Sequence, residues 1–476
     1  MLKGQLEQIL DQLTFLRFEM ALVIGALVLL VAGLISKKAL VHRVGFAVIL
    51  VCSLFVDFGV LETQTILSGS LQIGPLESYV KMLFAAFAIW IVFYPTAKKQ
   101  APEFYFLMLS MVIGSSFMVS ANHLLVAYLA IELTSFTSYI ITNFNFQKKS
   151  FEAGIKYLIF GGVSSAVMLY GISIVYGIGG GLEIDSLYLH DSDPFLAFGI
   201  LALLGGLFFK VSVFPFHIWT PSAYQEAPTD AVAMLSVVPK VAGFVLLHRV
   251  LGMIDLDAFT WVTPMLIFAG IGTLLVGTLG ALGQTNIKRL MAYGAIAHSG
   301  LLLGCLFVSG DLGVAAFAWY ALVYAIMNLA LFHVVAVFEE QDITSVSELT
   351  GQGKTQSYFG GLMVVVMIAL VGLPPTAGFT AKFYLFSALW HEFQIGSDYY
   401  LLGFLIVSIL TVVFSLFYYF RIPFYYFLKS GSGGNNAPID LSHKIFATIL
   451  VMILLWFFLS PEILNNIVLN FNAVDW

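Results

Sequence analysis

Apolar residues in this chain come in long runs separated by short polar connections, and the pattern recurs from one end to the other. A run of about 20 mostly apolar residues is the length of a helix that crosses a hydrocarbon layer. About fourteen such runs can be read, over residues 20–35, 44–61, 80–94, 104–120, 124–141, 155–176, 195–219, 231–247, 261–282, 290–308, 312–338, 358–390, 399–420 and 445–459. The expected fold is an all-α membrane protein with about 14 transmembrane helices.

Two runs break helix rules. In the seventh, Lys210-Val-Ser-Val-Phe-Pro215-Phe-His217 places a proline in the interior, where it removes a backbone hydrogen bond and clashes with the preceding turn, so the helix should break near Val213. The twelfth would be about 50 Å long as one straight helix, too long for a layer of about 30 Å, and residues 373–378, Leu-Pro-Pro-Thr-Ala-Gly, interrupt it. Interrupted segments at matching places in two halves point to an inverted repeat with an ion site near the midplane. The breaks lie five spans apart, so spans 4–8 and 9–13 form two five-helix repeats, the second inverted by its odd length. Proline kinks that only bend a membrane helix are the plain alternative. The expected organisation is a three-helix segment over 1–100, the first repeat over 101–250, the second over 251–425, and a loop with the last helix over 426–476.

Composition agrees: 60% of residues are hydrophobic and 10% charged, against about 25% charged in soluble domains. Cys52 and Cys305 both fall in apolar runs, which reads as core packing with no disulfide framework or cysteine metal site. The net charge of −6 is spread over loops, and no basic cluster suggests nucleic acid. No nucleotide-binding loop occurs, and Gly179 to Gly181 lead into an acidic loop rather than a phosphate-cradling helix. Residues 1–17 are mixed polar and the following run is long enough to span, so a retained first helix is expected rather than a cleaved signal.

Basic residues orient the bundle. Fourteen of the 21, among them Lys37, Lys38, Arg43, Lys148, Lys149, Lys288, Arg289 and Lys444, fall on connections of one side, which is assigned to the cytoplasm. The other side holds Lys3, Arg17, Lys81 and Arg249, together with the acidic loop Glu183, Asp185, Asp191 and Asp193. Both termini are therefore placed on the non-cytoplasmic side of a bacterial inner membrane.

Three lysines remain inside the spans: Lys210, Lys240 and Lys382. Among acids, Glu132 is placed comparably deep, about 12 Å from either end of its run. A charged group at the bilayer centre costs about 2.5–3.5 kcal/mol on insertion scales, so four cost on the order of 10 kcal/mol unless paired or hydrated. Such residues mark ion pathways, or else they form structural pairs that hold helices together. One glutamate cannot neutralise three lysines. His217, two residues after the first proline, and His298, in the middle of span ten, are candidate relays. Lys156 opens span six, where it can snorkel or serve as a way in for protons. His333 and His248 read as interfacial, and Asp57, Thr134, Ser135, Ser164 and Ser165 as structural.

With residues 210–221 (Lys-Val-Ser-Val-Phe-Pro-Phe-His-Ile-Trp-Thr-Pro), 238–240 (Val-Pro-Lys), 286–300 (from Asn-Ile-Lys-Arg to Ala-His-Ser-Gly) and 372–384 (from Gly-Leu-Pro-Pro to Lys-Phe-Tyr), the chain resembles the antiporter-like subunits of respiratory complex I, a proton-translocating NADH-quinone oxidoreductase. The resemblance runs from about residue 104 to 420. Lys382, where the M-type subunits have glutamate, and the short tail after span fourteen resemble the N-type branch. The resemblance implies that Glu132 and Lys210 form a coupled pair, that Lys240 connects, that Lys382 is terminal, and that His217 and His298 line a central axis. It also implies a subunit without cofactor, metal or redox centre, packed in lipid against other membrane-arm subunits and linked through them to soluble NADH and quinone modules. A subunit of a multisubunit Na⁺/H⁺ antiporter or membrane-bound hydrogenase, which shares these motifs, is the alternative.

Overall fold

A backbone amide inside hydrocarbon has no water to bond to, so a chain this apolar satisfies its N–H and C=O groups within helices. The computed structural model describes residues 12–56, 63–190, 193–430, 438–460 and 462–463. Lys3, Asp57 and Asp191 lie outside the described residues. The helices are α1 Arg17–Ile35, α2 Ala39–Val56, α3 Pro75–Ile91, α4 Pro102–Ser120, α5 Leu124–Thr142, α6 Lys148–Gly179, α7 Pro194–Val211 and α8 Thr220–Glu226. They continue as α9 Thr229–Gly252, α10 Val262–Leu282, α11 Ile287–Cys305, α12 Gly310–Glu340, α13 Ser357–Val371, α14 Ala377–Gly396, α15 Tyr399–Pro423 and α16 Leu441–Leu459. A short antiparallel ribbon, β1 Gln64–Ile66 and β2 Leu71–Ile73, precedes α3.

Among the described residues, eleven helices are long and apolar enough to cross a membrane. Both expected interruptions are present. The seventh run ends as a helix at Val211 and resumes at Thr220; the twelfth divides into α13 and α14. The chain forms two compact units. One comprises Met1–Val92, Lys98–Val211 and Val238–Thr263, the other Phe93–Ala97, Ser212–Val237 and Pro264–Trp476.

In the first unit, α6 and α7 approach through glycine. A Cβ on Gly171 would lie 2.6 Å from both the Gly199 carbonyl oxygen and the Leu203 amide nitrogen, so only a residue without a side chain admits this backbone contact. The outward faces of α1 and α2 carry Ile24, Leu27, Val28, Val48 and Phe55, all exposed and apolar, as a surface in contact with hydrocarbon requires. Cys52 lies on such a face and is exposed, which corrects its assignment to the core; Cys305 is buried.

In the second unit, the start of α9 is tied to α11 and α12. Lys288 Nζ donates to the Ala227 carbonyl at 2.8 Å and to Glu339 at 3.0 Å, and the Thr229 hydroxyl donates to the same carboxylate. Tyr94 donates to the Leu329 carbonyl at 2.8 Å. His333, assigned above to an interface, is fully buried, its ring 5.6 Å from that of Tyr94.

Two loop assignments are also corrected. Lys81 lies inside α3, which starts at Pro75 rather than near residue 80, and Arg249 lies in the last turn of α9. Both are buried and paired with carboxylates. A charged residue reads as a loop position when its partners are far away in sequence.

Replacing Gly171 by valine forces the α6 and α7 backbones apart and should destabilise the protein by about 1–3 kcal/mol, the usual cost of overpacking. Thermal unfolding in detergent tests this, with Gly177→Val as the control: a Cβ at Gly177 meets nothing within 4 Å, and its melting temperature should not change.

Candidate functional site

Pro215 has no amide hydrogen to donate, and Ser212 adopts a left-handed conformation with φ of 60°. The helix α7 therefore stops one residue after Lys210, which places this lysine in its last turn, at the negative end of the helix dipole. Lys210 is buried, and its Nζ donates to the Ser135 hydroxyl of α5 at 3.0 Å. Ser135 is one turn beyond Glu132 on α5. The half-buried Glu132 accepts a hydrogen bond from the Ser165 hydroxyl of α6. Among the described residues Lys210 bonds the Ser135 hydroxyl rather than Glu132, which is bonded by Ser165. Ser135 and Ser165, read from sequence as structural, are thus the immediate partners of the two charged groups.

Lys240 is fully buried within α9. Pro239 immediately before it lacks the N–H that would bond the Leu235 carbonyl, which leaves an acceptor in the same turn. Gly243, one turn later, receives α7. A Cβ there would meet Val211 Cγ1 at 2.6 Å and Lys210 Cγ at 3.6 Å, so the end of α7 and the stem of Lys210 lie directly against the helix of Lys240.

The second unit holds the other candidates. Lys382, in α14, donates to the carbonyl oxygens of Leu370 and Val371 at 2.8 and 2.7 Å. These are last-turn carbonyls of α13 and have no helical partner, because the chain turns away at Gly372 with φ of 86°. A Cβ at Gly372 would lie 2.6 Å from Lys382 Cδ, so glycine meets two requirements there, a left-handed turn and room for the lysine stem. The ammonium thus closes the broken end of the half-helix that precedes its own.

His298 of α11 is buried, with Nδ1 2.8 Å from the Tyr320 hydroxyl and its ring 5.2 Å from that of Tyr324, both on α12. The Tyr324 hydroxyl donates to the Ser236 carbonyl at 3.0 Å, one turn before Lys240 along α9. His217 is half-buried beside the first interruption. Its ring stacks on Phe214 at 5.9 Å, and its buried Nδ1 meets no partner among the described residues. The freed Phe214 amide donates to the Thr273 hydroxyl at 2.9 Å.

Lys156 does not join these groups. Its side chain is 54% exposed on α6 and pairs with Glu152 at 2.6 Å, one turn earlier. Tyr320 and Tyr324 did not stand out in the sequence, because a tyrosine in an apolar run is ordinary core. The signal was their spacing of four, which sets both hydroxyls on one helix face. Among the described residues no group of three or more His, Cys, Asp or Glu side chains could hold a metal ion.

Residues 121–413 match the family model described as NADH:quinone oxidoreductase/Mrp antiporter, transmembrane. NADH-quinone oxidoreductase subunit N of Pelagibacter ubique is 31% identical, over 98% of this chain and the whole of that one. NADH-quinone oxidoreductase subunit N 2 of Chloroherpeton thalassium is 33% identical over 88% of this chain and 86% of that one. Among solved structures, a chain of respiratory complex I from Thermus thermophilus superposes with a TM-score of 0.80 at 26% identity, covering 94% of this chain and 98% of that one. A chain of an archaeal membrane-bound sulfane sulfur reductase shares the fold with a TM-score of 0.85 at 23% identity, over 97% of each chain. By its matched length and by these relatives, the chain belongs to the NADH:quinone oxidoreductase/Mrp antiporter transmembrane family.

Proposed function

We propose that this chain is a proton-translocating subunit in the membrane arm of an NADH-quinone oxidoreductase, and that redox chemistry in partner subunits drives the protons. The observation that carries this reading is the setting of Lys210 and Lys382. Each is buried, and each meets the carbonyl end of an interrupted helix, one in the last turn of its own half-helix and the other on that of its neighbour. The negative helix end favours the protonated lysine, whereas burial favours the neutral one, so a nearby charge decides between them. Glu132 is such a charge for Lys210.

In this reading, a change at Glu132 alters the proton affinity of Lys210. The proton then passes through Lys240 and the His298, Tyr320 and Tyr324 group toward Lys382, with His217 as a side relay and Lys156 at a way in. Arg249 on Glu77 is consistent with the bundle also using charge as a staple. Lys210 differs in bonding a neutral hydroxyl, and Lys382 in bonding backbone carbonyls, so neither is locked to a carboxylate. The broken segments at α7 and at α13 with α14 support two inverted five-helix repeats, spans 4–8 and 9–13, within fourteen crossings. The basic connections support termini on the non-cytoplasmic side of the bacterial inner membrane. The exposed apolar faces suit lipid and other membrane-arm subunits. The relatives named subunit N favour the NADH-linked complex over an Mrp-type antiporter.

Replacing Lys210 or Lys382 by alanine in the assembled complex should abolish most NADH-driven proton uptake into inverted membrane vesicles; native uptake in both would refute the proposal. Replacing Ser135 or Ser165 by alanine removes one hydrogen bond to a charged group, worth about 1.5–3 kcal/mol. Proton-uptake rates should then fall by roughly ten- to a hundredfold if that bond is needed in the rate-limiting transfer. Stopped-flow acidification measures the rate, and NADH oxidation with an artificial acceptor confirms that the soluble module still works.

A further inference from the structure

A second set of buried charges lies in the first unit, among residues that the candidate site does not use. Lys81 Nζ of α3 is 2.6 Å from Glu19 Oε1 of α1, with side chains 0% and 2% exposed. Ser116 of α4 donates its hydroxyl to the same Glu19 oxygen. One turn before Lys81 on α3, Glu77 pairs with Arg249 of α9, and these side chains are 2% and 4% exposed. The order is acid, base, acid, base: Glu19, Lys81, Glu77, Arg249.

The two pairs are built differently. Arg249 bonds Glu77 through Nη2 and the Ala121 carbonyl through Nη1 at 2.9 Å, and a guanidinium does not lose its proton. That pair is a fixed tie between α9, α3 and the end of α4, with only its Nε unpartnered among the described residues. Lys81 has three donor protons and one ion-pair partner among the described residues, Glu19 Oε1, with no well-directed hydrogen bond. Glu19 Oε2 is buried and accepts nothing among the described residues. A buried pair kept only for stability is expected to satisfy its remaining protons and lone pairs, because each unmet group carries a desolvation cost. Here an acceptor oxygen and ammonium protons lack directed partners among the described residues, and a second carboxylate, Glu77, lies one turn away on the helix of Lys81.

We propose that Glu19 and Lys81 form a further proton-exchange site, which rests on the proton-translocating reading above. A proton delivered by water forms an O–H bond at Glu19 Oε2, and the pair passes from net charge 0 to +1. The Lys81 ammonium, no longer held by a carboxylate, turns toward Glu77. Loss of that proton to water breaks the O–H bond and draws Lys81 back. No electrons move. Because Glu77 then divides its charge between Lys81 and Arg249, the exchange loosens the tie on α9. Lys240 is nine residues before Arg249, about 13 Å along the same helix. The site thus links protonation among the first three helices to the helix of Lys240.

The test is the number of protons taken up per NADH oxidised by vesicles holding the assembled complex. Lys81→Arg keeps a positive charge and an ion pair but holds Glu19 with a fixed, multidentate grip; Glu19→Gln keeps shape and cannot titrate. Both should assemble and pump fewer protons per NADH than the unmodified complex. The double variant Glu19→Leu with Lys81→Met removes both charges, avoids leaving one unpaired, and should show the same deficit. An unmodified proton ratio in the assembled K81R complex or in the double variant overturns the proposal, and failure of both to assemble marks the pair as a staple and overturns it as well. If Lys382→Ala abolishes pumping while K81R leaves it unchanged, only this inference fails; if neither variant affects pumping, the reading beneath it fails.

Discussion

A lysine ammonium inside a helical bundle must be given acceptors, and in an intact membrane helix the backbone has none to spare. Every carbonyl in the helix interior is already bonded to the amide four residues on. An interruption changes this, because the last turn of a half-helix leaves carbonyls unpaired. Lys382 uses the freed carbonyls of Leu370 and Val371, and Gly372 provides both the left-handed turn and the room for the lysine stem. Lys210 occupies the last turn of its own half-helix and bonds the Ser135 hydroxyl. Breaking the helix and burying the cation are one structural decision. Among the described residues neither lysine bonds a carboxylate.

The remaining architecture holds these ends in place. Gly171 lets α6 and α7 approach at backbone distance, and Gly243 seats the end of α7 against the helix of Lys240. Helix α9 is tied near its start by Lys288, Glu339 and Thr229, and in its last turn by Arg249 on Glu77. Arg249 is bonded to a carboxylate and a carbonyl, whereas Lys210 bonds a hydroxyl and Lys382 two backbone carbonyls.

Much of this was legible from residue order because the relevant physics is local. Proline removes a specific hydrogen bond, so both interruptions could be placed within a few residues, at Val211 and Val371 in the structure. A charge in the middle of an apolar run is costly whatever its surroundings, so Glu132, Lys210, Lys240 and Lys382 stood out. What was not legible depends on partners distant in sequence. Lys81, inside α3, and Arg249, in the last turn of α9, looked like loop residues; only the meetings with Glu19 and Glu77, 62 and 172 positions away, show them as buried pairs. Ser135 and Ser165 looked like residues bonded within their own helices, as Thr134 is to the Ala130 carbonyl. The difference is which face meets a charge, and that follows from packing.

The central claim is that Lys210, Lys240 and Lys382 exchange protons through water rather than serve as buried structural charges. A cryo-electron microscopy map of the assembled complex, at a resolution that shows individual waters, tests it most directly. The account predicts ordered water in contact with Lys210, Lys240, His298 and Lys382. Close-packed side chains around the lysines, with no water within hydrogen-bonding distance of any of their Nζ atoms, would contradict it.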